Sequence, residues 1–199
     1  MAGIIPRWEW RVFGAGFGAA EDAFAALTPE GIQESDEVYL LSSAGDGNVK
    51  IRHGLLDIKL LREVDADGLE RWEPVLKTGF PLPAAEVARV FDALGVVPPP
   101  LTQGAYTFDQ FLAGLVAPSG VVRVVRVHKR RVRYTFGGCS AEVADVEVDG
   151  RAARTIAIES EDPSAVIAAV RGVGLDGHGN VSYPRGLAAL VDAAPGAMG

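Results

Sequence analysis

The chain has 199 residues, of which 48% are hydrophobic and 23% are charged, and this composition is typical of one globular domain. Its net charge of -7 argues against a protein that coats DNA or anionic lipid, and no apolar run of about 18 residues predicts a membrane span. The single Cys139 excludes a disulfide framework and a cysteine-based zinc site. We expect a cytoplasmic protein with no signal peptide, one domain over residues 1–192 and a flexible tail over residues 193–199.

The first part of the chain predicts several short strands. Strict alternation over residues 7–13 gives a strand with a tryptophan face and a charged face. After it, the pattern predicts a helix over residues 19–27 and strands over residues 37–42, 49–52, 56–61 and 70–77. The turn signal His53-Gly54 joins two of these strands into a hairpin. Pro74 weakens the last strand, which favours a bulge or a sheet edge there.

The second part alternates helical and strand-like segments. We predict helices over residues 83–94, 107–115, 164–172 and 187–191, and strands over residues 121–135, 139–148 and 152–160. Asp162-Pro163 supplies a cap and a first-turn proline for the third of these helices, and Asp149-Gly150 is a hairpin turn. About eight strands with helices inserted between groups indicate an α+β fold rather than a parallel α/β sheet.

Charged residues two apart share a face of a strand, and each of these faces carries almost one sign of charge. The pairs are Lys50 with Arg52, Lys129 with Arg131, Asp145 with Glu147 and Glu159 with Glu161. Like charges on one strand destabilise a sheet unless partners neutralise them. Two interpretations stay open: a half-buried sheet with its polar face in water, or cationic and anionic strands that face each other inside a closed antiparallel barrel.

The barrel interpretation suits phosphoryl transfer. A triphosphate carries about four negative charges, so several Arg and Lys side chains are needed to hold it. Hard divalent cations such as Mg²⁺ take carboxylate and phosphate oxygens together. Catalysis then consists of positioning, charge neutralisation and the activation of a water molecule in line with the scissile bond.

These segments resemble the CYTH superfamily, the triphosphate tunnel metalloenzymes. The superfamily includes thiamine triphosphatases, inorganic triphosphatases, fungal-type RNA triphosphatases and one class of adenylate cyclases. The similar segments, in chain order, are Glu9-Trp-Arg11, Lys50-Ile-Arg52, Lys59, Arg71-Trp-Glu73, Lys129-Arg-Arg131-x-x-Tyr134, Asp145, Glu159-Ser-Glu161 and Asn180-Val-Ser-Tyr183. The resemblance runs through most of the chain, and it rests on the order and spacing of motifs that are weak individually.

The resemblance implies a closed eight-stranded antiparallel β tunnel with flanking helices. It also implies Mg²⁺- or Mn²⁺-dependent hydrolysis of inorganic triphosphate, a short polyphosphate, or a nucleoside or thiamine triphosphate. The phosphate-binding residues that it implies are Arg11, Lys50, Arg52, Lys59, Lys129 and Arg131. The catalytic residues would be Glu9, Glu159 and Glu161, and the metal ligands would be Glu9, Asp145, Glu159 and Glu161.

The opening motif departs from the superfamily pattern, and so does the long Gly- and Ala-rich insertion after Arg11. Arg7 stands where the opening Glu-x-Glu-x-Lys motif has its first Glu. The missing carboxylate would lower metal affinity, leave a single metal, or mark a protein that binds phosphates without turnover. The alternative function is therefore a non-catalytic module that binds polyphosphate or a nucleotide, and an adenylate cyclase is less favoured. We expect a small anionic phosphate compound as ligand, with no membrane or nucleic-acid duplex as partner, and a homodimer stays open.

Overall fold

Eight strands of the described chain close into an antiparallel barrel. The computed structural model describes residues 5–193, so the predicted tail lies outside the described residues except for Ala193. The barrel strands are β1 (Arg7–Gly14), β2 (Gly31–Leu41), β3 (Asn48–Arg52), β4 (Leu55–Val64), β5 (Glu70–Gly79), β8 (Arg123–Phe136), β9 (Cys139–Val148) and β10 (Arg151–Ser160). Their order around the barrel is β1-β10-β9-β8-β2-β3-β4-β5, and the short strands β6 (Leu82–Pro83) and β7 (Ala105–Tyr106) pair separately. The predicted α+β fold with a closed eight-stranded antiparallel barrel is confirmed.

Five helices flank or enter this barrel within the described residues. They are α1 (Ala19–Ala25), α2 (Ala84–Ala93), α3 (Phe108–Phe111), α4 (Pro163–Gly172) and α5 (Tyr183–Asp192). One apolar cluster packs α2 and the α3 region on the outer face of β2, β3 and β4, and a second packs α1 and α4 on β1, β9 and β10. None of the described helices combines the length and apolarity that a bilayer crossing requires.

Two predicted elements are shorter than those observed. Strand β2 begins at Gly31 rather than at residue 37, because its polar first half pairs with β8 all the way to Arg133. Helix α5 begins at Tyr183 rather than at residue 187. The predicted irregularity at Pro74 is present as a shift of register between Ile58 and Lys59 of β4.

The interior of the barrel has two chemically different ends. At the apolar end, Tyr183, Leu187 and Leu190 of α5 are buried against inward-facing side chains of the strands. These side chains are Tyr39, Leu41, Val125, Val127, Val146, Val148 and Ala153. A side chain at Gly186 would overlap the ring of Phe13, so the glycine lets α5 approach β1 closely. Helix α5 therefore fills one end of the barrel, and the interior is a cup rather than a tunnel open at both ends.

Candidate functional site

The other end, which we call the charged end, contains a cavity of about 260 Å³ inside the barrel. Seven basic and three acidic side chains line it, which is an excess of four positive charges. The basic residues are Arg7, Arg11, Lys50, Lys59, Lys129, Arg131 and Arg133, and the acidic residues are Glu9, Glu142 and Glu159. Such an excess inside a barrel favours an anionic ligand.

Strand alternation explains why these charges point inward. On β1, Trp8 and Trp10 pack outward in the apolar cluster under α1 and α4, so Arg7, Glu9 and Arg11 must face the interior. Residues directly opposite each other on paired strands share a face, and Glu9 lies opposite Glu159 on β10. The apolar contacts outside the barrel therefore fix the direction of the charges inside it.

Glu142 is the centre of the ion-pair network in the cavity. It accepts hydrogen bonds from Lys129 Nζ at 2.7 Å, from Arg11 Nη1 at 3.1 Å and from Arg131 Nη1 at 3.4 Å. Arg11 Nε also donates to Glu9 Oε1 at 2.8 Å. Since Lys129 and Arg11 are only 5% and 6% exposed, both cations need these carboxylates to offset their desolvation.

The pKa values in the cavity follow from burial and from these neighbours. Burial raises the pKa of Glu142, but Lys129, Arg11 and Arg131 outweigh it and hold this pKa well below its ordinary value. The pKa of Glu9 is lowered in the same way, since Arg11 and Lys59 overcome the effect of burial. Both carboxylates are therefore ionised at neutral pH.

The lysines are affected in the opposite direction. Burial lowers the pKa of Lys50 to about 8, with a further contribution from nearby cations that Glu37 only partly offsets. Burial also lowers the pKa of Lys129, against the opposing effect of Glu142. A bound anion would favour the charged form of both lysines.

Polar groups without partners lie at the inner end of the cavity. The side-chain oxygen of Asn48 and the hydroxyl of Tyr183 have no hydrogen-bond partner among the described residues. The Tyr183 ring lies 4.8 Å from both the Arg11 guanidinium and the Lys129 ammonium, measured to the ring centroid. Tyr183 therefore lies at the bottom of the cup, directly beside these two cations.

Most of the predicted site residues meet in this cavity. Those that line it are Glu9, Arg11, Lys50, Lys59, Lys129, Arg131 and Glu159. Arg52 also faces inward, but its guanidinium donates to the buried Glu37 at 3.4 Å and is not part of the cavity wall. Glu37 also accepts hydrogen bonds from Ser35 and Tyr39, so this second network is structural.

Two of the predicted metal ligands lie elsewhere. Asp145 is on the outer face of β9, where its side chain is 52% exposed and pairs with Arg154 at 3.1 Å. Glu161 follows the last residue of β10 and is exposed. Their predicted convergence with Glu9 and Glu159 is therefore wrong, because one faces the opposite side of the sheet and the other lies beyond its end.

Sequence reasoning missed Glu142, although a signal for it was present. The turn at Asp149-Gly150 fixes the register of the β9–β10 hairpin. Counting outward from it pairs Glu142 with Ala157, on the same face as Glu159, and pairs Asp145 with Arg154 on the other face. Arg7 and Arg133 also line the cavity and were not among the predicted ligands.

The cavity does not fit the Mg²⁺ or Mn²⁺ that the resemblance implies. Within residues 5–193, no group of three or more His, Cys, Asp or Glu side chains is arranged to hold a metal ion. Each acidic group of the cavity is already bound to a cation: Glu9 to Arg11, Glu142 to Lys129, and Glu159 to Arg7 at 3.0 Å.

Comparison with solved structures places the chain among proteins of similar fold. A conserved hypothetical protein from Pyrococcus furiosus aligns over 89% of this chain and 98% of its own, with a TM-score of 0.51 and 17% identity. A candidate adenylyl cyclase from Hippeastrum with a dominant triphosphatase activity aligns over 93% of this chain and 95% of its own, with a TM-score of 0.50 and 14% identity. No protein-family profile and no curated protein sequence matches the chain. At these identities the comparison shows a shared fold.

Proposed function

We propose that the charged end of the barrel binds an oligophosphate: inorganic triphosphate, a short polyphosphate, or the triphosphate end of a nucleotide or of thiamine triphosphate. The observation that carries this proposal is the excess of four positive charges around a cavity of about 260 Å³. A triphosphate, with about four negative charges, would balance that excess.

The arrangement of cations along β8 suits an elongated anion. Lys129, Arg131 and Arg133 alternate along the inner face of this strand, at a spacing of roughly 6.5–7 Å between successive positions. Lys129 is buried, Arg131 is half-buried and Arg133 is exposed, so the row leads from the inner part of the cavity to its opening. The row can thus contact an elongated anion from the opening to the inner part of the cavity.

Hydrolysis of the bound oligophosphate is a second candidate function. The observation that favours it is the direct opposition of Glu9 and Glu159 across the β1–β10 pair, beside the proposed phosphate site. The triphosphatase activity of the Hippeastrum protein, which shares the fold, supports the same candidate. Cyclisation of ATP is less favoured, because the charged lining of the cavity supports phosphate binding and not recognition of the base.

Calorimetric titration of inorganic triphosphate, pyrophosphate, phosphate, sulfate, ATP and thiamine triphosphate tests the binding proposal. We expect triphosphate to bind more tightly than phosphate or sulfate, and Arg131→Gln to weaken it about tenfold by removing a charge-assisted contact. Arg126→Gln is the matched control, since Arg126 lies on the same strand but faces outward. Equal losses in both variants, or no binding of any oligophosphate, would contradict a site inside the barrel.

Phosphate release from the same panel, in Mg²⁺, Mn²⁺ or EDTA, tests hydrolysis. If the protein is a hydrolase, Glu159→Gln should reduce the rate by about 100-fold or more, as expected for loss of a group that acts in acid–base catalysis. Glu147→Gln is the control because Glu147 carries the same charge on the outer face of β9. If the wild-type protein binds triphosphate but releases phosphate only at the background rate, hydrolysis is excluded and the protein is a binding module.

A further inference from the structure

We infer that this cavity takes its oligophosphate without a divalent metal, and that Arg7 is an additional phosphate ligand at the opening. The inference rests on the proposed function and specifies how the same site holds its anion. It concerns the position where Arg7 stands in place of the first Glu of the superfamily motif. Three structural arguments support it.

First, the two most buried carboxylates of the cavity, Glu9 and Glu142, are already paired with cations. Glu142 accepts hydrogen bonds from three cations, and Glu9 accepts one from Arg11 at 2.8 Å. A metal bound to these oxygens would displace cations that have almost no access to water. Leaving a buried cation unpaired is strongly unfavourable, so the ion pairs compete with a metal for the same oxygens.

Second, Arg7 lies at the opening of the cavity. It follows the strand alternation of Glu9 and Arg11, lines the cavity, and pairs with Glu159 Oε1 at 3.0 Å. Its side chain is 49% exposed, so the guanidinium lies at the solvent side of the cavity and can turn towards an incoming anion. Arg presents two parallel donors that match a phosphate group, and Arg7 thus supplies charge to the phosphate where a metal would otherwise do so.

Third, the charge of the cavity matches a triphosphate better than a triphosphate with bound metal. The cavity has four positive charges in excess before any ligand enters. A divalent cation would raise this excess, and a triphosphate that carries Mg²⁺ has about two negative charges fewer with which to offset it. Free triphosphate is therefore the better match for the cavity, and Mg²⁺ should compete with the protein for the ligand.

Calorimetric titration of inorganic triphosphate tests the inference in EDTA and in enough Mg²⁺ to saturate the triphosphate, at constant ionic strength. We expect binding in EDTA and an affinity about tenfold weaker in Mg²⁺, because the complexed ligand has lost much of its charge. A second titration uses Mn²⁺ alone, and here we expect no saturable binding to the wild-type protein.

Arg7→Glu sharpens the test by placing a carboxylate beside Glu9 and Glu159. This variant should bind triphosphate about tenfold more weakly in EDTA because a charge-assisted contact is lost, and Mg²⁺ should now strengthen its binding. Arg126→Glu is the matched control, because it makes the same change of charge on the outer face of β8 and should keep the wild-type response to Mg²⁺. Circular dichroism checks that both variants are folded.

The outcomes separate this inference from the proposed function. Binding that needs Mg²⁺, or saturable Mn²⁺ binding that Glu9→Gln abolishes, would overturn the metal-free site while leaving an oligophosphate site in place. Absence of triphosphate binding in both EDTA and Mg²⁺ would overturn the proposed function and the inference with it. Binding in EDTA that Arg7→Glu leaves unchanged would remove Arg7 from the site.

Discussion

The two ends of the barrel interior are built by the same strands with different side chains. On β8 the inward positions change from Val125 and Val127 to Lys129 and Arg131, and on β9 they change from Val146 to Glu142. Backbone pairing is continuous through the change. The two ends therefore have the same strand geometry and differ only in the side chains that face the interior. Strand alternation thus determines which side chains face the interior. The position along the strand determines whether those side chains belong to the apolar core or to the charged cavity.

The two ends also contribute differently to the free energy of unfolding. The apolar end gains from burying α5, which needs no ligand. The charged end brings desolvated cations together, and for Lys129 this cost is offset only in part by Glu142, since burial still lowers the pKa of this lysine. Four changes at the two ends, and on the outer face, test whether stability and binding are divided in this way.

The largest expected effect is that of Glu142→Gln. It leaves Lys129 and Arg11 without their shared carboxylate, and breaking such a buried pair costs about 3–5 kcal/mol in the free energy of unfolding. Triphosphate should then stabilise the variant more than the wild type, because the anion replaces the lost negative charge. Chemical denaturation with and without triphosphate measures both effects, and an unchanged midpoint would show that the ion pairs contribute little.

At the apolar end, Leu187→Ala should lower the free energy of unfolding by about 2–4 kcal/mol, since it opens a space in a fully buried contact. Its affinity for triphosphate should stay within about twofold of wild type, because the substitution removes no charge. Ile32→Ala, on the exposed outer face of β2, is the control and should change stability by about 0.5 kcal/mol or less. A large loss of affinity in Leu187→Ala would mean that the two ends are coupled.

Lys50 gives the charged end a pH dependence. Burial lowers its pKa to about 8 in the free protein, and the charged groups that face it are Glu37, Arg52, Lys129 and Lys59. A bound anion raises this pKa, so binding takes up a proton and affinity should fall about tenfold from pH 7 to pH 9. Lys50→Arg should flatten the profile because arginine stays charged, and an equal slope in that variant would rule out Lys50 as its source.

The smallest effect is expected on the outer face. Asp145→Asn removes an exposed partner of Arg154 and should change the free energy of unfolding by about 1 kcal/mol or less. Triphosphate affinity should be unchanged, as measured by the same titration. A clear change in affinity would mean that Asp145 acts in the site despite its outward direction.

Most of the fold was predictable because its signals are local. Alternation at Trp8 and Trp10, and the turns at His53-Gly54 and Asp149-Gly150, define strands without reference to the rest of the chain. The polar first half of β2 lacks such a signal, since its side chains face the charged interior or the solvent rather than a core. Its pairing with β8 is a long-range contact that alternation alone does not reveal.

The candidate site was predictable in part, for reasons that differ between residues. Glu159 lies on a strand whose opposite face is apolar, which leaves a single direction for its charge, whereas Lys129 shares its face with Val125 and Val127, so alternation alone does not fix its direction. Strand β9 carries acidic residues on both faces, so choosing between Glu142 and Asp145 needed the register rather than the period. The start of α5 was missed because Gly186 lowers helix propensity, yet its contact with Phe13 requires a glycine.

Helix α5 closes one end of the barrel interior and so limits how far a ligand can enter from the other end. A chain molecule that enters past Arg133 must stop near Tyr183 and withdraw by the same route, in reverse order. If the proposed ligand is a long polyphosphate, we therefore expect that only its terminal units enter the cavity and that the remainder stays in water. The affinity per molecule should therefore rise with chain length for the first few phosphate groups and then level off, because the barrel contacts only the end of a longer chain.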